Sequence, residues 1–289
     1  MRYATYAKPD SGSGVGLIVG DKLVEAATST WPRTMLQLIR GAGTIDRSHS
    51  TEAGIALAGV KLQAPIPVPP KNIFCIGRNY TDHINEVAAT RSFKEYTPEY
   101  PVFFTKPYTT IIGPEDEIMI DSKFSTEIDW EAELAVIIGV GGRHIEEKDA
   151  LKHVFGYTCA NDVTARDAQK NHEQWFLGKS FDTSCPLGPW IVTPDEIGDP
   201  QNLDIQLRVN GEVKQHANTS QMIFSIAQQI AWLSKSITLE PGDIISTGTP
   251  SGVGFARKPP EFLKAGDIVE VEIQYIGILR NKVTQLKAK

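Results

Sequence analysis

Two glutamates separated by a single residue stand directly before an apolar stretch of the chain. Glu131 and Glu133 precede residues 134–139, a run rich in β-branched residues that ends at a glycine and is typical of a buried strand. Side chains two positions apart on a strand point to the same face, so the two carboxylates should project together. Like charges held this close repel each other, and a hard divalent cation that prefers oxygen ligands would compensate them. A pair of solvated surface carboxylates is the alternative.

A histidine and a glutamate three residues apart offer a different chemistry. His83 and Glu86 follow a strand predicted at residues 73–77, and on a helical turn they would share one face. A carboxylate beside a histidine orients the ring and stabilises its protonated form, so the pair could act as a general base. An incidental pair on a surface helix is the alternative. Residues 87–100, which follow, are predicted to form a mobile flap that orders on ligand binding.

Two more candidates lie near predicted strands. Asp162 comes at the end of a strand candidate at residues 156–160, where it could give the glutamates a third oxygen ligand, although Asn-Asp pairs also occur in structural turns. Lys179 lies in residues 175–189, an irregular segment with aromatic and small polar residues. It could bind a substrate carboxylate there, and a solvated loop lysine is the alternative.

Two positions at the borders of other predicted strands could line a pocket. Lys106 stands at the end of a strand predicted at residues 102–107. Thr249 lies in a glycine-containing loop within residues 244–254. That loop lacks the strand–GxGxxG–helix context of a dinucleotide site, and no P-loop lysine follows it. The prediction is therefore limited to a pocket lined by backbone amides and Thr249.

Composition excludes several classes of function. The 289 residues are 41% hydrophobic and 22% charged, as in ordinary globular proteins, and a formal net charge of -6 without a basic run argues against nucleic-acid binding. No apolar stretch reaches the ~20 residues that span a bilayer, and the first residues lack the apolar core of a signal peptide. The three cysteines show no Cys-x-x-Cys spacing, which favours reduced, buried thiols. We therefore expect a soluble, cytoplasmic protein with no nucleic-acid or membrane partner.

The elements that must position the candidate residues begin after a proline-rich connector. Residues 1–62 are predicted to form a small N-terminal α/β domain, with a hairpin at residues 15–25 and a short helix at residues 34–40. Four prolines within residues 63–70 forbid a helix and mark a boundary, so this segment is predicted to be the connector. Residues 71–289 would then form the catalytic domain.

The rest of the chain is predicted to consist mostly of strands. Hydrophobic residues alternate with polar ones at residues 203–209 and 269–275, and an Asn-Gly turn follows the first of these segments. Helices are predicted at residues 146–155 and after a cap at Thr219 or Ser220. The pattern indicates a β-rich α+β fold or a distorted barrel.

Several of these segments together resemble the fumarylacetoacetate hydrolase family over about residues 71–285. Their shared order along the chain is far more specific than any one motif. The motifs are Ile76-Gly77-Arg78-Asn79-Tyr80 with His83 and Glu86, Phe104-Thr105-Lys106-Pro107, Asp129-x-Glu131-x-Glu133, Asn161-Asp162-x-Thr164-Ala165-Arg166-Asp167, Lys179-Ser180-Phe181-Asp182 and Thr247-Gly248-Thr249-Pro250.

The resemblance implies a mixed β-sandwich roll, usually a homodimer, that binds a divalent metal, Mg²⁺ or Mn²⁺. The metal ligands that it implies are Glu131, Glu133 and Asp162. The catalytic groups that it implies are His83 and Glu86, a water-activating dyad on a lid that orders with substrate, and Lys179. The groups that would hold the carboxylate and oxo groups of the substrate are Arg166, Gln169, Lys179 and Thr249, with Tyr80 and Lys106 at the pocket wall. Asp129 has no assigned role.

The short N-terminal part points to the subgroup that includes acylpyruvases, fumarylpyruvate hydrolases and isomerase/decarboxylases. The leading hypothesis is hydrolytic cleavage of a carbon–carbon bond in a 2,4-dioxo acid, which yields pyruvate or a related 2-oxo acid and a carboxylic acid. His83, backed by Glu86, would take a proton from water, and the metal and Lys179 would stabilise the enolate that forms. The alternatives are decarboxylation of an oxaloacetate-type acid or isomerisation of a hydroxydiene-dioate through the same enolate. A metal-dependent binding protein without turnover is a rival of another class.

Overall fold

The computed structural model describes residues 1–8, 12–25, 32–41, 54–90 and 97–286. The strands within these ranges, in chain order, are β1 Arg2–Ala7, β2 Ser13–Val19, β3 Lys22–Val24, β4 Ile55–Ala56, β5 Leu62–Gln63, β6 Ile73–Gly77, β7 Val102–Lys106, β8 Ile111–Ile112, β9 Glu117–Ile120, β10 Ile128–Asp129, β11 Ala132–Ile138, β12 Val154–Asn161, β13 Thr164–Ala165, β14 Cys185–Val192, β15 Asp204–Val209, β16 Glu212–Asn218, β17 Ile244–Ser246, β18 Ile268–Ile273 and β19 Gly277–Gln285. The α-helices are α1 Met35–Ile39, α2 Thr81–Thr90, α3 Arg166–Asn171, α4 Phe176–Lys179, α5 Pro194–Ile197 and α6 Ile226–Ser234.

A 12-stranded mixed sheet is the largest element of the described chain. Its main path runs β4-β3-β2-β1-β14-β12-β11-β17-β6-β7, with β5 added to β1 and β8 added to β14. β1 pairs antiparallel with β14, opposing Arg2 to Val192, so the N-terminal strands continue the sheet that the later strands form. The division into residues 1–62 and 71–289 stays a prediction.

A five-stranded sheet in the order β16-β15-β18-β19-β9 packs against β11, β12 and β14. The main hydrophobic core lies between the two sheets and includes the apolar side of α6. Leu134 and Val136 of β11 face this core, whereas Ala135 and Ile137 face a second core that includes α1. The strand is therefore buried on both faces, and its alternation places Glu133 on the side of Ala135 and Ile137.

The predicted β-rich α+β fold is confirmed, and several predicted elements are present within it. β2 and β3 form the expected hairpin, and α1 begins after Thr34, whose side chain accepts a hydrogen bond from the Gln37 amide at 3.2 Å. β15 and β16 pair through the Asn210-Gly211 turn, in which both residues have the positive φ that this turn requires.

Two segments differ from the sequence-based prediction. The helix predicted at residues 146–155 is a 3₁₀ helix over Glu147–His153, after which the chain enters β12. Val154 pairs with Ile138 there, so the ladder between β11 and β12 overrides the local helical preference. The segment at residues 175–189, predicted to be irregular, contains α4 and the first part of β14.

The helix predicted from a cap at Thr219 or Ser220 begins later in the chain. Ser225 caps α6 and accepts a hydrogen bond from the Gln228 amide at 3.2 Å. The hydroxyl of Thr219 is buried and accepts a hydrogen bond from the Leu203 amide at 2.8 Å. This long-range contact explains why Thr219 does not cap the helix.

Three further predictions concern segments and residue types. Within the described ranges no helix is long and apolar enough to cross a membrane. The three cysteines are buried free thiols, as predicted. Of the predicted flap at residues 87–100, the first four residues end α2, and residues 91–96 lie outside the described residues.

Candidate active site

The register of the two central strands brings three carboxylates together. β11 and β12 run antiparallel with Ala132 opposite Asn161, and the Asp162 amide donates to the Glu131 carbonyl at 2.9 Å. Glu133 is the second residue of β11, two positions after Glu131, so the two side chains share a face. One side-chain oxygen of each of Glu131, Glu133 and Asp162 lies within 4.8 Å of the others, and all three residues are buried.

Three buried cations compensate most of this negative charge. Lys179 Nζ lies 2.7 Å from Glu131 Oε2 and 2.7 Å from Asp162 Oδ2. Arg166 Nη2 lies 2.7 Å from Glu131 Oε1, and Lys106 Nζ lies 2.8 Å from Asp162 Oδ1. Burial alone would raise the pKa of Glu131, but the charges of Lys179 and Arg166 outweigh it and bring this pKa to about 2.

Glu133 is the exception, because no cation of the described chain forms an ion pair with it. Its Oε2 accepts hydrogen bonds from Ser246 Oγ and from the Gly248 amide, the latter at 3.0 Å. Burial, together with the charges of Asp162 and Glu131, raises the pKa of Glu133 well above its ordinary value of 4.5. A divalent cation among the three carboxylates would give Glu133 a positively charged partner, and an all-oxygen donor set suits Mg²⁺ or Mn²⁺. The residues present therefore fit a divalent metal.

Asp129, to which the sequence assigns no role, forms hydrogen bonds with groups next to the three carboxylates. Its Oδ2 accepts a hydrogen bond from Arg166 Nε at 2.8 Å, and its two oxygens also accept from the amides of Gly254 at 2.6 Å and Phe255 at 3.1 Å. The carboxylate is fully buried. Asp129 thereby holds both the guanidinium beside Glu131 and a turn that forms one wall of the neighbouring pocket.

A pocket with a volume of about 90 Å³ opens onto the carboxylates. The predicted site residues in its lining are His83, Glu131, Glu133, Arg166, Gln169, Lys179 and Thr249. His83 reaches it from α2, and its Nδ1 lies 2.8 Å from Oε1 of Glu86, one helical turn later. Arg166 Nη1 donates to Gln169 Oε1 at 3.2 Å, so these two polar groups face the pocket side by side.

Two residues predicted at the pocket wall lie elsewhere, outside the described lining. Lys106 is fully buried, and besides its ion pair with Asp162 it donates to the carbonyl oxygens of Val163 and Lys179. The buried charge of Asp162 holds this ammonium, so the ammonium contacts that carboxylate and does not line the pocket. Tyr80 is also buried, and its backbone forms an isolated bridge with Met222.

Sequence reasoning does not identify eight residues that line the pocket, and four of these carry a charged or aromatic side chain. These four are Arg78, Phe104, Trp175 and Phe255. The Arg78 guanidinium lies 5.8 Å from the centre of the Trp175 ring, and the rings of Phe104 and Trp175 meet edge to face at 5.5 Å. Arg78 and Phe104 belong to motifs that carry the family resemblance, and this membership is the signal that could have identified them.

Comparison with known proteins supports the family resemblance that the sequence motifs indicate. Residues 72–284 match the family model described as "Fumarylacetoacetate (FAA) hydrolase C-terminal". The chain is 50% identical over 228 residues to oxaloacetate tautomerase YisK of Bacillus subtilis (strain 168), which covers 79% of this chain and 74% of that relative. It is 45% identical over 281 residues to the mitochondrial oxaloacetate tautomerase FAHD2B of Homo sapiens, which covers 95% of this chain and 86% of the relative.

A solved structure agrees over nearly the whole chain. The fumarylacetoacetate hydrolase from psychrophilic Exiguobacterium antarcticum superposes with a TM-score of 0.87 at 38% identity, covering 99% of this chain and 100% of that one. The matched region contains every predicted site residue, and the fold and the order of the motifs agree with the resemblance. The chain belongs to the fumarylacetoacetate hydrolase family.

Proposed function

We propose that this protein interconverts the keto and enol forms of oxaloacetate in a reaction that depends on a divalent metal. The observation that carries the proposal is the identity of 50% and 45% to two relatives that are named oxaloacetate tautomerases. Tautomerisation belongs to the isomerase chemistry that the sequence offers as an alternative to hydrolysis. Hydrolysis of a 2,4-dioxo acid is the second candidate, favoured by the 38% identity to a fumarylacetoacetate hydrolase.

The reaction moves one proton between carbon 3 and the oxygen on carbon 2, so it consumes no water and breaks no carbon–carbon bond. A divalent metal held by Glu131, Glu133 and Asp162 would act as a Lewis acid on the 2-oxo group. His83 would carry the proton to and from carbon 3, because Glu86 occupies its Nδ1 side and leaves the other ring nitrogen for the substrate. The ammonium of Lys179 would stabilise the negative charge that develops on the oxygen.

Four groups of the lining would bind the substrate. Arg166, Gln169 and Thr249 would hold the carboxylate next to the oxo group, at the end of the pocket where the buried carboxylates lie. Arg78 lies in the same lining and would bind the second carboxylate of a four-carbon dicarboxylate. The enzyme would therefore prefer an oxo acid with two carboxylates.

The proposed activity can be tested by supplying enol-oxaloacetate with Mg²⁺ or Mn²⁺. A coupled dehydrogenase that consumes only the keto form measures its appearance, and pyruvate is measured in the same reaction. We expect keto-oxaloacetate to form faster than without enzyme, and a chelator to abolish this gain. If fumarylpyruvate or an acylpyruvate were instead cleaved with stoichiometric release of pyruvate, and the enol form were not consumed faster, hydrolysis would replace tautomerisation as the function.

Replacing Arg78 with glutamine is expected to raise KM for oxaloacetate by about 10- to 100-fold, the size of one lost hydrogen bond to a charged group. kcat should change little, because Arg78 would bind the end of the substrate that does not react. Arg280→Gln is the control, since Arg280 is an exposed arginine that pairs with Glu115 at 2.7 Å. Steady-state kinetics of both variants decide the point, and an unchanged KM in Arg78→Gln would contradict the role.

A further inference from the structure

Glu86 divides its two carboxylate oxygens between two partners in different parts of the chain. Oε1 lies 2.8 Å from His83 Nδ1, on the same helix. Oε2 accepts a hydrogen bond from the Gly252 amide at 2.8 Å, and Gly252 follows Glu86 by 166 residues. Orienting His83 requires only the first contact. The second ties α2 to the loop that follows β17.

α2 has little buried surface that could hold it in place by packing. α2 spans ten residues, Thr81–Thr90, and Ile84 is its one buried residue. Isolated helices of this length are marginal in water, and most helical stability in proteins comes from packing. The contact from Glu86 to Gly252 therefore adds a long-range hydrogen bond from within this helix, one turn after His83.

Gly252 is itself held in place from the strand that carries the carboxylates. Its carbonyl oxygen accepts a hydrogen bond from Trp130 Nε1 at 3.2 Å, and Trp130 directly precedes Glu131. Its φ is +103°, in the region that favours glycine, and a Cβ added here would lie 2.2 Å from the Lys214 carbonyl oxygen. Both the conformation and the position of this amide are thus tightly defined.

A second set of hydrogen bonds holds the start of the same loop. Gln215 is buried, and its Nε2 donates to Thr249 Oγ1 and to the Pro250 carbonyl, both at 2.8 Å. Its Oε1 accepts a hydrogen bond from the Ala132 amide at 2.9 Å. Trp130 and Ala132 flank Glu131 in the sequence, so both sets of hydrogen bonds start beside one of the candidate metal ligands.

We propose that Trp130 and Gln215 are positioning residues that present the Gly252 amide as the docking point for Glu86. Glu86 then holds α2 in the position in which His83 faces the carboxylates. His83 and the candidate metal ligands thereby keep one relative geometry. The role of this geometry in proton transfer rests on the proposed function, whereas the docking itself does not. Neither Trp130 nor Gln215 belongs to the described pocket lining, so both residues would act through His83.

Two substitutions of Glu86 separate docking from proton transfer. Glutamine keeps an oxygen that can accept the Gly252 N–H, and alanine keeps none. Hydrogen–deuterium exchange of the metal-free protein, followed in α2 and in the segment around Gly252, should be about 10- to 100-fold faster in Glu86→Ala than in the native protein. Glu86→Gln should stay close to the native rate. Equal exchange in the native protein and both variants would overturn the proposal.

A matched pair of tryptophan substitutions tests the positioning role. Trp130→Phe keeps an aromatic ring in the core and removes the indole N–H that holds Gly252. Trp190→Phe removes an indole N–H of the same kind, which donates to the Ile276 carbonyl at 2.7 Å, away from the pocket lining. We expect only Trp130→Phe to speed exchange in α2 and to lower kcat by about tenfold, the effect of one hydrogen bond, with KM and metal affinity unchanged.

The remaining outcomes each have one meaning. If Trp130→Phe lowered metal affinity together with kcat, its effect would run through Glu131 and the positioning role would be wrong. If both tryptophan variants sped exchange in α2 equally, the effect would be general loss of stability, which also overturns it. If the native enzyme did not tautomerise oxaloacetate, the proposed function would fail, and the exchange rates of the Glu86 variants would still decide the docking.

Discussion

Replacing Glu133 with glutamine is expected to lower the affinity for Mg²⁺ and Mn²⁺ by at least about 100-fold. Loss of a group that only supports a metal ligand typically costs about 10- to 100-fold, and this change would remove one of the three proposed ligands themselves. Tautomerisation of oxaloacetate should fall in parallel with metal occupancy. Isothermal titration calorimetry measures the affinity, and the coupled assay measures the activity.

The metal-free protein provides the control, because the same substitution should not harm its fold. Glutamine keeps an oxygen that can accept from Ser246 and Gly248, and it removes a buried carboxylate that no described cation pairs with. Asp162→Asn should instead lower the metal-free Tm, since Asp162 pairs with Lys106 and Lys179. Native-like metal affinity in Glu133→Gln would show that the metal site is wrongly assigned.

Replacing His83 with alanine is expected to lower kcat for tautomerisation by about 10²- to 10⁴-fold, the usual contribution of a positioned general acid–base group. The ion pairs that Arg166, Lys179 and Lys106 form with the carboxylates do not involve His83, so metal affinity should stay unchanged. Stopped-flow measurement of keto-oxaloacetate formation at saturating metal isolates the step.

Three controls define the role of His83. Added imidazole should restore part of the rate in His83→Ala, because it can occupy the space of the missing ring. His216→Ala, at an exposed histidine outside the described pocket lining, should behave like the native enzyme. Decarboxylation of oxaloacetate requires no proton to leave carbon 3, so it should fall less than tautomerisation. Equal losses of both activities would argue against His83 as the proton carrier.

The parts of the site that the sequence predicts are those set by local periodicity. Glu131 and Glu133 share a face because strand side chains alternate with a period of two, and His83 and Glu86 meet because a helical turn places positions three apart together. Both relations depend only on residues a few positions apart. The same holds for the hairpin turn at Asn210-Gly211 and for the short helix predicted at residues 34–40, which is present as α1.

The predictions that fail do so where a distant partner outweighs the local preference. Thr219 does not cap a helix, because its hydroxyl bonds with the Leu203 amide. Residues 154 and 155 are strand, because Val154 pairs with Ile138 in the neighbouring strand. Lys106 ends its strand as predicted, yet its ammonium supports Asp162 and does not face the pocket, since a buried carboxylate is the stronger attraction.

The sequence alone predicts the chemistry available near Glu131: two carboxylates on one face, a third in a motif of the family, and a histidine paired with a glutamate. The way in which these groups are balanced and held follows from the folded chain. The register of β11 and β12 places Asp162 beside Glu131, and Asp129 proves to hold Arg166 and the pocket wall. Among the residues that the structure describes, no cation forms an ion pair with Glu133, and Gly252 is brought to Glu86. These contacts join residues far apart in the chain, and no local pattern encodes them, because they depend on how the sheets and loops pack.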